Sequence, residues 1–120
     1  MQAQPVVWIV SREHWPRACL RAELIERGFD AVGYPEISHA LAAVPLSGER
    51  KPRMMVLDLC GQSLDGAVLS RLKQVRVPVI LLGGAVELND PITREFEWAA
   101  VLRRPFTLGK VADMVEKLAA

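Results

Sequence analysis

The chain has two cysteines, two histidines, one tyrosine and no apolar run near the roughly 18–20 residues that cross a bilayer. It also lacks the basic region, apolar stretch and cleavage site of a secretory leader, so a soluble, cytoplasmic protein with no membrane partner is expected. Cys19 and Cys60 have neither metal-ligand spacing nor the density of a disulfide framework. Cys19 is expected to pack as a small apolar group in a helix, and Cys60, two residues beyond Asp58, to sit at the rim of a cleft. His14 and His39 have no second ligand at helical spacing and read as solvated surface residues. Fifteen basic against fourteen acidic residues leave a formal charge of +1, which gives no reason to expect nucleic acid as a partner. The glycine pair Gly83-Gly84 is far from the spacing of a phosphate-binding loop. No catalytic pattern is recognisable, and the chain is not expected to be an enzyme.

What is present is alternation. With 120 residues, 51% of them hydrophobic, the chain fits one domain over residues 1–120, without repeat or linker. Residues 5–10, 53–59 and 78–82 are short apolar runs rich in β-branched side chains, as expected of strands covered on both faces. Residues 29–34 and 99–102 read as two further, shorter strands. Ser11 is placed to cap a first helix that carries Ala18, Ala22 and Ile25 at helical spacing and stops at Gly28. Glu36 opens a short second helix over residues 36–44, and Pro45, Ser47, Gly48 and Pro52 mark a polar loop. A third helix is expected over residues 64–75, with Val68, Leu69 and Leu72 inward, and a modest fourth over 91–98. A last helix, capped by Thr107, carries Val111, Met114, Val115 and Leu118 as one stripe. Five strands alternating with five helices predict an α/β three-layer sandwich around a parallel sheet, because right-handed crossovers place a helix over the sheet after each strand.

In such a sheet ligands bind beyond the carboxyl ends of the strands. That rule selects Ser11 and Arg12, then Asp58, then Gly83 and Gly84, then Arg103, Arg104, Pro105 and Phe106. Over essentially its full length the chain resembles the receiver domain of two-component response regulators, the CheY-like family. The residues that carry the likeness are Val56-Leu57-Asp58-Leu59, Asp65-Gly66, Pro78-Val79-Ile80-Leu81-Leu82, and Arg104-Pro105-Phe106 where the family has Lys-Pro-Phe. The resemblance implies a flavodoxin-like (βα)5 fold with strand order 2-1-3-4-5, a role in phosphorelay signalling, and Asp58 as candidate phosphoacceptor. It implies protein partners, a histidine kinase or an effector. It also implies a homodimer or effector surface along the fourth helix, fifth strand and fifth helix, where Phe96 and Trp98 are candidate anchors.

The departures from the family pattern concern the chemistry. Ser11 and Arg12 occupy the degenerate acidic-pocket positions, where the family holds Mg²⁺ with two acids, so no cofactor is expected and Mg²⁺ binding should be weak or absent. Gly83 replaces a hydroxyl-bearing switch residue, Val101 replaces the second, aromatic switch, and Arg104 stands at the conserved-lysine position with a different hydrogen-bonding fork. Arg12 and Arg104 are both expected to approach Asp58 and to stand in for the metal with fixed positive charge. Trp15 is a candidate cover for Arg12, and Trp8 is expected in the core. Three readings follow: a degenerate receiver acting through protein contacts, a phosphorylatable receiver using Asp58, or a binder of an anionic metabolite or nucleotide. The last would use an Arg12, Arg103 and Arg104 cluster together with the amides of the glycine turn.

Overall fold

The computed structural model describes residues 4–44 and 51–120. In chain order its elements are β1 (Val6–Val10), α1 (His14–Glu26), β2 (Asp30–Tyr34), α2 (Ile37–Ala43), β3 (Met54–Asp58), α3 (Gly66–Val75), β4 (Val79–Gly83), α4 (Ala85–Leu88), a 3-10 turn (Pro91–Glu95), β5 (Ala100–Arg103) and α5 (Leu108–Ala119). The five strands form one parallel sheet in the order β2-β1-β3-β4-β5, the flavodoxin-like arrangement expected from the sequence. Of the expected polar loop, Pro45, Ser47 and Gly48 lie outside the described residues.

Period-two alternation divides the core between the two faces of the sheet. Trp8, Val10, Met55, Leu57, Val79 and Leu81 face α2 and α3 and meet Leu41, Leu69 and Leu72 there. Val7, Ile9, Met54, Val56, Ile80 and Leu82 face the opposite way and meet Leu20 and Leu24 of α1 and Val111 and Val115 of α5. The central strands β3 and β4 are buried at every position, which explains their continuous apolar runs. Each fully buried Leu or Ile contributes about 1.5–3 kcal/mol by leaving water.

Several helix boundaries follow from local chemistry. Pro16 falls in the first turn of α1, where its missing N–H breaks no helical bond. Gly28, at φ 95°, lets the chain leave α1 for β2. The Asp65 carboxylate accepts from the Val68 N–H at 2.8 Å, and the Thr107 hydroxyl accepts from the Lys110 N–H at 3.1 Å, capping α3 and α5.

Three expectations are corrected. The inward face of α1 is built on Leu20 and Leu24, an i, i+4 pair on the side turned to the sheet, whereas Ala22 is exposed and Ile25 is 43% exposed. Cys19 is likewise exposed instead of packed. The fourth helix does not occupy residues 91–98. It begins after Gly84, whose N–H donates to the Glu87 carboxylate at 3.3 Å, and it stops after one turn. Asp90 then caps a separate 3-10 turn by accepting from the Ile92 N–H, with Pro91 at its first position. Among the described residues no helix is long and apolar enough to cross a membrane.

Candidate functional site

β3 delivers Asp58 to the carboxyl edge of the sheet on the same face as Val56, toward α1 and α5, and the residue is 4% exposed. Burying a carboxylate demands partners, and each oxygen has them. Oδ1 accepts from the Cys60 N–H at 2.9 Å and from Arg104 Nη2 at 3.1 Å. Oδ2 accepts from the same Nη2 at 2.9 Å and from the Ser11 hydroxyl at 3.4 Å. The Asp58 backbone carbonyl accepts from Gln62 Nε2 at 2.8 Å, and Gln62 Oε1 accepts from the Ile37 N–H at 2.9 Å, tying the loop after β3 to the start of α2.

Arg104 reaches the carboxylate because its own backbone N–H donates to the Gly83 carbonyl at 2.9 Å, extending the β4–β5 pairing by one residue, ahead of a cis bond to Pro105. Its guanidinium lies 5.1 Å from the centre of the Phe106 ring, a cation–π distance. Burial lowers its pKa, but the hydrogen bonds and charge of Asp58 outweigh that and leave it raised, so the cation is permanent. The Cys60 thiol is pushed up by a hydrogen bond toward Glu13, then by burial and by the charges of Glu13 and Asp58.

The site thus gathers Asp58, Ser11 and Arg104. Arg12 does not join them: its Nη1 donates to the Gly61 carbonyl at 2.7 Å and its Nε lies 3.9 Å from Glu36, on the outer side of the loop. Arg103 is exposed, because alternation along β5 sends it away from the face that Arg104 occupies. A three-arginine anion pocket is therefore not formed, and the Gly84 amide intended for it is already taken by Glu87. Trp15 does not cover Arg12 but stands 74% exposed, edge-on to His14. Gly83 has Leu88 where a side chain would go: a Cβ built there lies 3.1 Å from Leu88 Cδ2. Val101 is half exposed. Phe96 and Trp98 pack against each other and against the core, and Trp98 Nε1 donates to the Thr93 carbonyl.

Glu13 and Gln62 were not singled out as partners of this site in the sequence, and neither carried a signal. Phe106 was selected by its place after β5, but not as a ring beside the Arg104 guanidinium. A divalent metal does not fit the donor set. Mg²⁺ requires octahedral oxygen ligands, yet the buried carboxylate has a hydroxyl and a guanidinium as neighbours, and among the described residues no three His, Cys, Asp or Glu side chains gather into a cation site.

No protein-family model and no curated protein matches the chain. Solved structures do. A response regulator receiver protein from Pseudomonas putida superposes with a TM-score of 0.77 at 24% identity, over 98% of this chain and 99% of that one. The receiver domain of the Francisella response regulator 1452 gives 0.76 at 21% identity, over 97% of each chain. The N-terminal domain of a response regulator/sensory box/GGDEF three-domain protein from Carboxydothermus hydrogenoformans gives 0.77 at 19%, over 95% of this chain and 93% of that one. The fold is that of receiver domains. Within the receiver fold, Asp58 lies at the carboxyl end of the third strand and Arg104 directly after the fifth.

Proposed function

We propose that this protein is a receiver-like signalling module of a two-component system that has given up metal-dependent phosphotransfer and acts through contacts with protein partners. The observation that carries this reading is the Arg104 guanidinium on both oxygens of Asp58. A charge-assisted pair of this kind occupies the lone pairs that a metal or a phosphodonor must reach, and it does so without a dissociable ligand. Ser11 and Gly83 support the same reading, one by withholding a carboxylate and the other by withholding a hydroxyl. In this account the domain holds one electrostatic state and presents one surface, to a kinase, an effector or a second copy. Val101 and the outer face of α5 belong to that surface, Val101 being 50% exposed and Leu118 37% exposed. No catalytic turnover is part of the reading.

The test is intact mass after incubation with acetyl phosphate and Mg²⁺. The mass is expected to stay unchanged under conditions that phosphorylate a conventional receiver control. Gain of one phosphoryl group that disappears in Asp58→Asn would overturn the reading in favour of a working phosphoacceptor.

A further inference from the structure

α1 and α5 run side by side on one face of the sheet, and the seam between them is closed at one end and open at the other. At the closed end Arg27 bonds Glu23, Asp113 and Glu116, while Leu24 and Val111 share the core beneath. At the other end lies a cavity of about 370 Å³. Ile9, Val56 and Leu82 line it from the sheet, Leu20 from α1, and Phe106 and Leu108 from the chain entering α5. Its polar edge is the Asp58–Arg104 pair with Ser11, so the site described above forms one wall of a mostly apolar space. Cavities of roughly 300–1,000 Å³ with apolar walls and a few fixed polar groups are the usual form of small-molecule sites.

One polar atom in this region lacks a partner. Arg104 binds both oxygens of Asp58 through Nη2 alone, and its Nη1 is buried without a hydrogen bond. An unsatisfied buried donor is costly, and its natural complement is an acceptor brought by an occupant of the adjoining space. The surrounding charges choose the kind of acceptor. Arg104 is paired with Asp58, and Arg17 and Glu13 carry opposite charges, so the cavity lining as a whole is balanced. An anion, carboxylate or phosphate, would add an unbalanced charge to it, whereas a neutral carbonyl satisfies Nη1 without adding charge.

We infer that the cavity between α1 and α5 binds an uncharged, largely apolar small molecule through a carbonyl oxygen, of the amide, ketone or lactone type, that accepts from Arg104 Nη1. The apolar body lies between Leu20 and Phe106, and Arg104, which itself lines the cavity, must turn its buried Nη1 toward that space to meet the carbonyl. The site differs from an anion pocket in chemistry and in position, since neither Arg12 nor Arg103 lines it.

Matched probes test this: phenylacetamide against phenylacetate, and 1-naphthamide against 1-naphthoate, titrated into the intact protein and followed by amide chemical shifts and by the fluorescence of Trp15, which lines the cavity. The amides are expected to give saturable shifts at Leu20, Leu82 and Phe106, with each matching acid at least about tenfold weaker. Arg104→Met should weaken amide binding by about tenfold. Cys19→Trp, on the α1 wall of the cavity, should abolish binding by filling it while leaving the circular dichroism spectrum unchanged. The proposal fails if no amide saturates up to about 10 mM, if the acids bind as well as the amides, or if a folded Cys19→Trp protein binds as before.

Discussion

Nη2 of Arg104 stands 2.9 Å from one carboxylate oxygen of Asp58 and 3.1 Å from the other, so a single nitrogen holds the only buried acidic side chain of the described residues. Removing the cation leaves that carboxylate in a site 4% exposed. Arg104→Met should therefore lower unfolding stability by about 2 kcal/mol, less than for a fully enclosed pair because the arginine side chain is 36% exposed. Adding Asp58→Asn to Arg104→Met should recover part of the loss, since the amide carries no charge to strand. Urea denaturation of the two single variants and the double variant measures the coupling, and strict additivity would contradict a direct pair.

The position that faces Asp58 from the loop after β1 is Ser11, with its hydroxyl 3.4 Å from Oδ2, and not Arg12. The electrostatic site should therefore be convertible at Ser11 and Arg104 together. Ser11→Asp with Arg104→Lys places two carboxylates side by side and trades the fork of the guanidinium for a mobile ammonium. Calorimetric titration should detect Mg²⁺ binding in this double variant with Kd on the order of 1 mM, and none in Arg12→Asp alone. Equal Mg²⁺ affinity in both proteins would overturn the assignment of the two positions.

How much of this was legible in the sequence depends on the side chains available. The central strands were readable because burial on both faces forces unbroken apolar runs, as in residues 54–57 and 79–82. Asp58 and Arg104 were readable because each directly ends or follows a strand. Arg12 was misjudged because a long side chain next to the right position has enough reach to choose another acceptor, here the Gly61 carbonyl. The fourth helix was misplaced because Pro91 is as good a start for a 3-10 turn as for a helix, while Gly84 carries no recognisable cap of its own.

α1 shows the same limit in a form that can be measured. Its 13 residues contain two apolar stripes, one with Leu20 and Leu24 and one with Ala18, Ala22 and Ile25, and periodicity alone does not rank them. In the fold Leu24 is fully buried and Ile25 is 43% exposed. Leu24→Ala should cost about 3 kcal/mol through lost burial and the cavity left behind. Ile25→Ala should cost less than about 1 kcal/mol. Comparable losses for the two variants, measured by thermal or urea unfolding, would mean that α1 is rotated from the position described.

Gly83 offers a test of how tightly the end of β4 is fitted. A Cβ there would lie 3.1 Å from Leu88 Cδ2 and 3.2 Å from Leu88 Cγ, so a hydroxyl-bearing residue at this position requires the Leu88 side chain to give way by a few tenths of an ångström. Gly83→Thr should lower stability by about 1–3 kcal/mol through overpacking, and Leu88→Ala in the same chain should relieve part of that loss. If Gly83→Thr is as stable as the parent, Leu88 does not close this position.

Cys60 and Glu13 give the last prediction, through reactivity. The thiolate is the reacting form, and hydrogen bonding toward Glu13 together with burial holds the Cys60 thiol above its ordinary range. At about pH 8 the exposed Cys19 should therefore react with iodoacetamide faster than the half-buried Cys60. Glu13→Gln removes the main cause of the shift and should raise the Cys60 rate by about threefold or more, with Cys19 unchanged, as read by peptide mass mapping. The sign for stability follows from the same shift. The native thiol keeps its proton to higher pH than the unfolded chain does, so its contribution is complete at neutral pH and is lost as the pH rises through the native thiol's own range. Glu13→Gln should flatten that alkaline loss, and an unchanged Cys60 rate in the variant would remove Glu13 from the site.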